Sequence, residues 1–359
     1  MSGRTFLVTG GAGFIGSALV RHLIGQRMGR VIVLDALTYA ASIAALESVA
    51  ASPDYRFVHG DIGDRALVAR LLAEEQVDAV LHLAAETHVD RSIAGPAAFV
   101  ETNVTGTFHL LEAALDHWRS LDGEAANRFR FHHVSTDEVH GDLKMDDAPF
   151  DEHSPYRPSS PYSATKAAAD HLVAAWGRTY GLPMLTSNCS NNYGPYQSPD
   201  KLIPRTIANA LGGAAIPIYG KGENVRDWLY VDDHAAALAT IATRAAPGAR
   251  YAVGGKAERA NITVVRTLCD LLDRLAPRAD GRSYRRQVTF VADRSGHDLR
   301  YAIDPSLIEA DFGWTPRHGF ADGLAATVAW YLNNRDWWRS FGAAGHTLEN
   351  FQLRAGQAR

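Results

Sequence analysis

Tyr162 and Lys166 lie four residues apart in PYSATKAAADHL, a stretch of helical period, so both side chains project from the same face of a helix. An ammonium beside a phenol stabilises phenolate and lowers the Tyr pKa towards neutrality, which makes Tyr162 a candidate base for a substrate hydroxyl. Upstream, Val134-Ser135-Thr136-Asp137-Glu138-Val139-His140-Gly141 ends a strand in a hydroxyl followed by two adjacent acids. Oxidation of an alcohol uses a hydroxyl to orient the substrate and the Tyr–Lys pair, and has no use for two further carboxyl groups. Loss of water needs both an acid and a base, so Asp137 and Glu138 point to a dehydration. Without a task, two desolvated acids would only cost stability.

A third constellation lies near the start of the chain, where Thr9-Gly10-Gly11-Ala12-Gly13-Phe14-Ile15-Gly16 joins a strand to the helical stretch FIGSALVRHLIG. Gly10 permits the tight turn, Gly13 lets the backbone approach a pyrophosphate, and Gly16 lets helix and strand pack closely. The helix N-terminus offers free N–H groups and the positive end of its dipole to the anion. A glycine-rich turn alone is common; strand before, helix after and acid later together make it a dinucleotide site. That acid is Asp35, 19 residues after Gly16 at the end of the second strand. Its carboxylate would accept hydrogen bonds from ribose hydroxyls and repel a 2′-phosphate, and no Arg follows in ALTYAAS, so NAD is expected rather than NADP. Asp61-Ile62 and Leu83-Ala84-Ala85 sit at the ends of the next two strands, along the edge where such a cofactor lies.

The elements that must position these groups alternate. Strands are predicted at Thr5–Thr9, Val31–Asp35, Arg56–His59, Ala79–Ala84, Phe129–Ser135 and Met184–Asn188, with helices near 14–26, 64–75, 99–121 and 161–180. This is the pattern of an α/β protein, a doubly wound parallel sheet of Rossmann type. Ser160 is a natural N-cap for the last helix, and Pro161 follows where a missing N–H costs nothing. Beyond residue 190 the chain is irregular and rich in Pro, Gly, Tyr and Trp, as in NNYGPYQSPDKLIPR. The expected division is a cofactor domain over 1–190, to which 226–245 returns, and a smaller, discontinuous α/β substrate lobe from 191–225 and 246–359.

Composition removes other classes. The 359 residues are 46% hydrophobic, enough for a substantial core. Lys+Arg 36 against Asp+Glu 40 gives a formal net charge of −4 with no long run of like charge, so no nucleic-acid partner is expected. Cys189 and Cys269 are the only cysteines, which leaves neither a disulfide framework nor a CxxC metal site and fits a reducing cytoplasm. MSGRTFLVTGG has no basic region followed by an apolar stretch, and no run of ~18 apolar residues occurs, so neither secretion nor membrane insertion is expected.

The segments TGGAGFIGSALV, DALTYA, LHLAAETHVDRSI, STDEVHGDL, SPYSATKAAADHLV, NCSNNYGPYQSPDKLIP, YGKGENVRDWLYVDDH and DRSGHDLRYAID occur in one collinear order along nearly the whole chain. In these the chain resembles the dTDP-glucose 4,6-dehydratase family of the extended short-chain dehydrogenases/reductases. The resemblance implies that Thr136 binds the sugar 4-hydroxyl, Asp137 is the acid, Glu138 the base and Tyr162, with Lys166, the group that takes the 4-hydroxyl proton. It adds Leu37, Thr38 and Thr102 to the cofactor site. It puts Thr87 at the sugar and Asn191, Lys201, Leu202, Pro217, Tyr219, Arg226, Asn261, Arg294 and His297 at the rest of the substrate, with cations on the diphosphate. The implied cycle borrows NAD and returns it, giving a 4-keto-6-deoxy sugar. The resemblance also implies a homodimer through a helical interface at the helices near 99–121 and 161–180, which carry Ala, Leu and Trp on more than one face. The chain departs from the family pattern at His140 for Tyr, Thr87 for Ser, Asp200 for Glu and Ser295 for Pro, none of which removes a reacting group. A dehydratase of a UDP- or GDP-linked sugar, a nucleotide-sugar 4-epimerase and an idle NAD-binding scaffold are the alternatives. An epimerase has no use for Asp137-Glu138, and a scaffold has no reason to keep every reacting group.

Overall fold

Runs such as FLVT, VIVL and AVLH are apolar on both faces, as parallel strands covered by helices must be. In the computed structural model, which describes residues 3–294 and 296–343, they become β1 (Arg4–Thr9), β2 (Gly29–Asp35) and β4 (Ala79–His82). β3 is Tyr55–His59, β5 Arg130–Thr136, β6 Met184–Cys189, β7 Asn191–Tyr193, β8 Ile216–Tyr219, β9 Val225–Tyr230, β10 Arg250–Val253, β11 Glu258–Ala260 and β12 Val288–Val291. A seven-stranded parallel sheet has the order β10-β6-β5-β4-β1-β2-β3, with Val8 opposite Val33 on one side and Leu81 on the other. The order reverses at β1, which opens a crevice beyond the C-terminal ends of β1 and β4, where Gly10 and Leu83 stand.

Helices cover both faces. Phe14–Gly25 and Val231–Arg244 bury Leu19, Leu23, Val231, Ala235 and Leu238 with Val8 and Val33 on one face. On the other, Arg65–Glu74, Thr107–Ser120 and Pro161–Tyr180 bury Leu71, Leu110, Leu111 and Val173 with Leu7, Ile32 and Phe131. The helix expected near 99–121 is not continuous. It runs as Pro96–Phe99, a π-helical stretch Val100–Gly106, and Thr107–Ser120. Such wide turns recur at functional sites; here Asn103, buried, brackets the Glu86 backbone (2.8 and 3.1 Å) and donates to the Thr165 hydroxyl at 3.0 Å.

A second core forms from Tyr193, Ile207, Ile218, Trp228, Leu268, Leu324 and Tyr331. It underlies the small sheet β11-β9-β7, the pair β12-β8 and the helices Leu202–Gly212, Asn261–Leu275 and Phe320–Asn333. Val231–Arg244 packs against the large sheet, and β9 before it belongs to the small one. β10 departs from the expected division: residues 250–253 extend the large sheet, pairing in parallel with β6. A four-residue strand carries too little periodicity to announce which sheet it joins. Among the described residues no helix is long and apolar enough to cross a membrane, and no group of three His, Cys, Asp or Glu side chains is set to hold a metal ion.

Candidate active site

Two cavities of about 300 and 210 Å³ adjoin at the C-terminal edge of the large sheet, sharing Tyr162, Asn191, Asp200 and Lys201 as walls. Every residue expected at the cofactor lines the first except Leu37. Leu37 stands in the left-handed region (φ 50°) with its side chain largely exposed, and only its N–H turns inward, donating to Asp35 Oδ1 at 2.8 Å. All residues expected at the substrate line the second cavity apart from Thr87 and Thr136, which open on the first.

The glycine turn has no room for side chains. Gly10 has φ +69°, and a Cβ there would lie 2.6 Å from the Ala84 nitrogen; one on Gly16 would overlap the Gly10 carbonyl oxygen. Gly13 is the N-cap of Phe14–Gly25 and offers no side-chain cap, so the first turn turns its free N–H groups toward the cavity. Asp35 braces the turn by accepting the Ala12 N–H at 2.8 Å as well as that of Leu37. Burial pushes its carboxyl up and these two N–H groups pull it down. An ionised carboxylate has about four acceptor positions, so Asp35 keeps capacity for ribose hydroxyls. These features fit a dinucleotide.

The second cavity is polar in a specific way. Asn191 Oδ1, Asn261 Oδ1, Arg205 Nε, Arg294 Nε and Trp228 Nε1 are buried without a hydrogen-bond partner in the protein, and all five residues line it. Buried polar groups are otherwise almost always satisfied, so this wall suits a polar, anionic ligand. The Arg226 guanidinium, 5% exposed, donates to the carbonyls of Val225 (2.7 Å) and Asp298 (2.9 Å) and lies over the Tyr301 ring at 4.3 Å. Arg294 stands 3.7 Å from Asp90, and His297 Nδ1 is 2.6 Å from Asp293. Arg205, His88, Trp228 and Tyr301 were not expected here. Three had a signal in the sequence: Arg205 one helical turn after Lys201 in KLIPR, His88 beside Thr87, and Trp228 two residues along a strand from Arg226; Tyr301 comes from chain distant in sequence.

The acid pair follows β5 in a 3₁₀ turn, Asp137–His140, closed by Gly141 at φ +82°. The Thr136 hydroxyl donates to Asp137 Oδ1 (3.2 Å) and accepts the Glu138 N–H (3.3 Å). Asp137 faces the first cavity and Glu138 the second. Their surroundings differ. Burial raises Asp137 well above the carboxylate range, Glu138 and Asp227 add to the rise, and Arg226 opposes it. Burial also raises Glu138, but Lys201, Arg294 and Arg226 all pull it back. Asp137 is therefore the better proton donor and Glu138 the better acceptor.

Tyr162 differs from expectation. Burial, then Glu138, Cys189 and Asp137, push its pKa well above the ordinary phenol value, and only the Thr136 hydroxyl opposes them. The Lys166 ammonium, itself lowered by burial, donates to the Val134 carbonyl at 3.0 Å. Burial, with the nearby acids adding to it, thus sets the Tyr162 phenol despite the cation one turn away. His140 lines neither cavity; it packs between Phe150 and Tyr156 (centroids 5.1 and 5.4 Å), and burial holds it below the usual His range. It is a packing replacement. Asp200 lies at the seam of the two cavities, 3.8 Å from His88, and Ser295 lies outside the described residues.

The family model described as GDP-mannose 4,6 dehydratase matches residues 7–327. A dTDP-glucose 4,6-dehydratase of Shigella flexneri is 56% identical over 339 residues, covering 92% of this chain and 93% of the relative. Among solved structures, DesIV, a dTDP-glucose 4,6-dehydratase from Streptomyces venezuelae with NAD and TYD bound, superposes with a TM-score of 0.85 at 47% identity, over 94% of this chain and 99% of that one. A UDP-glucose 4-epimerase of Thermus thermophilus in complex with NAD gives 0.79 at 28% identity, over 92% and 99%. The sheet and glycine turn are thus shared with epimerases, while high identity over nearly the full length is to dehydratases: the chain belongs to the dTDP-glucose 4,6-dehydratase family of extended short-chain dehydrogenases/reductases.

Proposed function

We propose that this protein converts dTDP-glucose to dTDP-4-keto-6-deoxyglucose by transient oxidation at C4, loss of water across C5 and C6, and reduction at C6. One observation carries the reading: two adjacent acids with opposed electrostatic surroundings, beside Tyr162, at the seam of a dinucleotide cavity and a cation-walled one. The cofactor is NAD, which when bound accepts a hydride from C4 and returns it to C6. Tyr162 takes the 4-hydroxyl proton, and Thr136 orients that hydroxyl. A ketone at C4 acidifies the C5 hydrogen, Glu138 removes it, and Asp137 protonates the departing 6-hydroxyl. Lys201, Arg226 and Arg294 neutralise the diphosphate. Residues 1–190, with the helix of 226–245 and β10, make up the cofactor half, and the remaining described chain the sugar-nucleotide half. Phe108, Trp176 and Tyr180 form an outward aromatic cluster on the helices Thr107–Ser120 and Pro161–Tyr180 (5.9 and 5.4 Å between centroids), which suits a homodimer through those helices. Two buried free thiols, Cys189 and Cys269, suit the cytoplasm.

Substrate deuterated at C4 is expected to give product labelled at C6, read by mass spectrometry and NMR. Label found in free NADH, or retained at C4 of an epimerised sugar, sinks the dehydratase reading.

Arg226→Ala is expected to raise KM for the nucleotide sugar more than it lowers kcat, because the diphosphate does not react. Arg226 also pulls down Glu138, so its removal should move the acid limb of the kcat profile to higher pH. A large loss in kcat at unchanged KM and unshifted limb would place Arg226 elsewhere in the mechanism.

A further inference from the structure

Tyr162, Lys166 and Asp170 are spaced by four along the helix Pro161–Tyr180, so a third group continues the catalytic face inward by one more turn. Lys166 is 4% exposed, and its ammonium donates to an uncharged carbonyl, that of Val134. A buried ammonium without an opposite charge is expensive and tends to shed its proton. The Asp170 carboxylate, 2% exposed, is built to stay charged nearby. His133 Nε2, on β5, meets Oδ1 at 3.0 Å; the Tyr156 hydroxyl (3.0 Å) and Asn188 Nδ2, on β6 (3.3 Å), donate to Oδ2; and Arg250, on β10, stands 3.6 Å from Oδ2. Arg250 also donates to the Tyr156 hydroxyl and, at 3.0 Å, to Asn188 Oδ1, which closes the cage.

We propose that Asp170 is a positioning residue for the reaction: the caged, buried counter-ion that keeps Lys166 an ammonium beside Tyr162. Asp137 and Glu138 act on Tyr162, and the imidazoles and thiol packed around the pair are shifted toward their neutral forms. Burial holds His82 well below the usual His range, His133 down at about 4 and His140 below its ordinary value, and it pushes the Cys189 thiol up. Asp170 stays ionised, its carboxyl lowered to about 2 although burial opposes this, because His133, Lys166 and Ser135 favour the anion. Burial is the largest influence on Lys166 and works against its charge, and Asp170 is the largest that favours the protonated form. The role rests on the proposed function of Tyr162 and Lys166, and one arm of its test does not.

The first arm reads the rate at which bound cofactor is reduced, by stopped flow, in a Glu138→Gln background where Asp137 and Glu138 chemistry is not required. With Asp170→Asn added, Lys166 should lose its proton earlier as pH rises. The alkaline limb should therefore move down by about 1–3 pH units, and Asp170→Glu should restore most of it. A loss equal at all pH values, with the limb in place, overturns the proposal.

The second arm is a melting cycle at neutral pH over Asp170→Asn, Lys166→Met and both together. Removing Asp170 takes a partner from Arg250 in either background but strands the buried Lys166 ammonium only while Lys166 is present, so the drop in melting temperature should be smaller in the Lys166→Met background. If Asp170→Asn alone does not fold, folding of the double variant supports the pairing. An equal drop in both backgrounds, or failure of both to fold, overturns it by making Asp170 a structural residue alone.

Discussion

The Glu138→Gln enzyme, mixed rapidly with dTDP-glucose, is expected to accumulate bound NADH and release little 4-keto-6-deoxy product. Asp137→Asn should do the same, because Tyr162 and Lys166 remain to carry the oxidation while water loss lacks its base or its acid. Tyr162→Phe should suppress NADH formation itself. General acid–base groups are typically worth ~10²–10⁴-fold, so product formation should fall by that range in each acid variant. Losses of only a few fold would remove both carboxylates from the chemistry. The contrast between the two acids gives the profile its shape. Glu138 must be ionised; burial raises it and Lys201, Arg294 and Arg226 pull it part of the way back, so it governs the acid limb. Asp137 must be protonated, is raised by burial and by Glu138, and governs the alkaline limb. Stability offers a control. A carboxyl whose pKa is raised by folding costs stability progressively as pH climbs from the ordinary Asp value toward the folded one, and the full cost stands above it. Asp137→Asn should therefore melt no lower than the native enzyme above that window, which separates lost chemistry from lost fold.

Much of this was legible before any coordinates because the relevant signals are local. The glycine turn, Asp35 and the Tyr162–Lys166 spacing are each set by one strand end or one helix, and the six N-terminal strands of the large sheet announce themselves by apolar runs. What stayed hidden depends on distant chain. β10 has four residues, and pairing with β6 is what assigns it to the large sheet. The π-helical stretch Val100–Gly106 reads as ordinary helix in sequence, since its register is fixed by Asn103 reaching Glu86 and Thr165. Local chemistry misjudged Tyr162, because a neighbouring Lys is visible in the sequence and the burial that chiefly raises the phenol is not. Asp170 carries no signal of its own in the sequence, since its cage of His133, Tyr156, Asn188 and Arg250 spans more than a hundred residues of chain.

The Gly16→Ala enzyme is expected to be purified without NAD and to show no activity until cofactor is supplied at concentrations at least ~10²-fold above those that saturate the native protein. A methyl group at Gly16 overlaps the Gly10 carbonyl oxygen and lies 2.8 Å from Gly11 Cα, backbone atoms that no side-chain rotation can clear. The turn is held on every side. Gly10 N–H donates to the Leu34 carbonyl at 2.9 Å, Gly13 N–H to the Gly10 carbonyl at 3.1 Å, and Ala12 N–H to Asp35 at 2.8 Å. Relief of the overlap must therefore move the helix away from the sheet or tilt the turn, and either motion turns the first-turn N–H groups off the line on which they meet a pyrophosphate. Each charge-assisted hydrogen bond lost is worth about 1.5–3 kcal/mol, so two of them account for the expected loss in affinity. The overpacking itself should cost about 1–3 kcal/mol of fold stability, seen as a melting temperature lower by several degrees without added NAD. Gly25→Ala, in the same helix, is the control. Nothing lies within 4 Å of a methyl group there, and Ala is the better helix former, so that variant should keep its cofactor and melt no lower than the native protein. Cofactor retained by Gly16→Ala, or lost equally by Gly25→Ala, would mean that close packing of this turn is not what holds the dinucleotide.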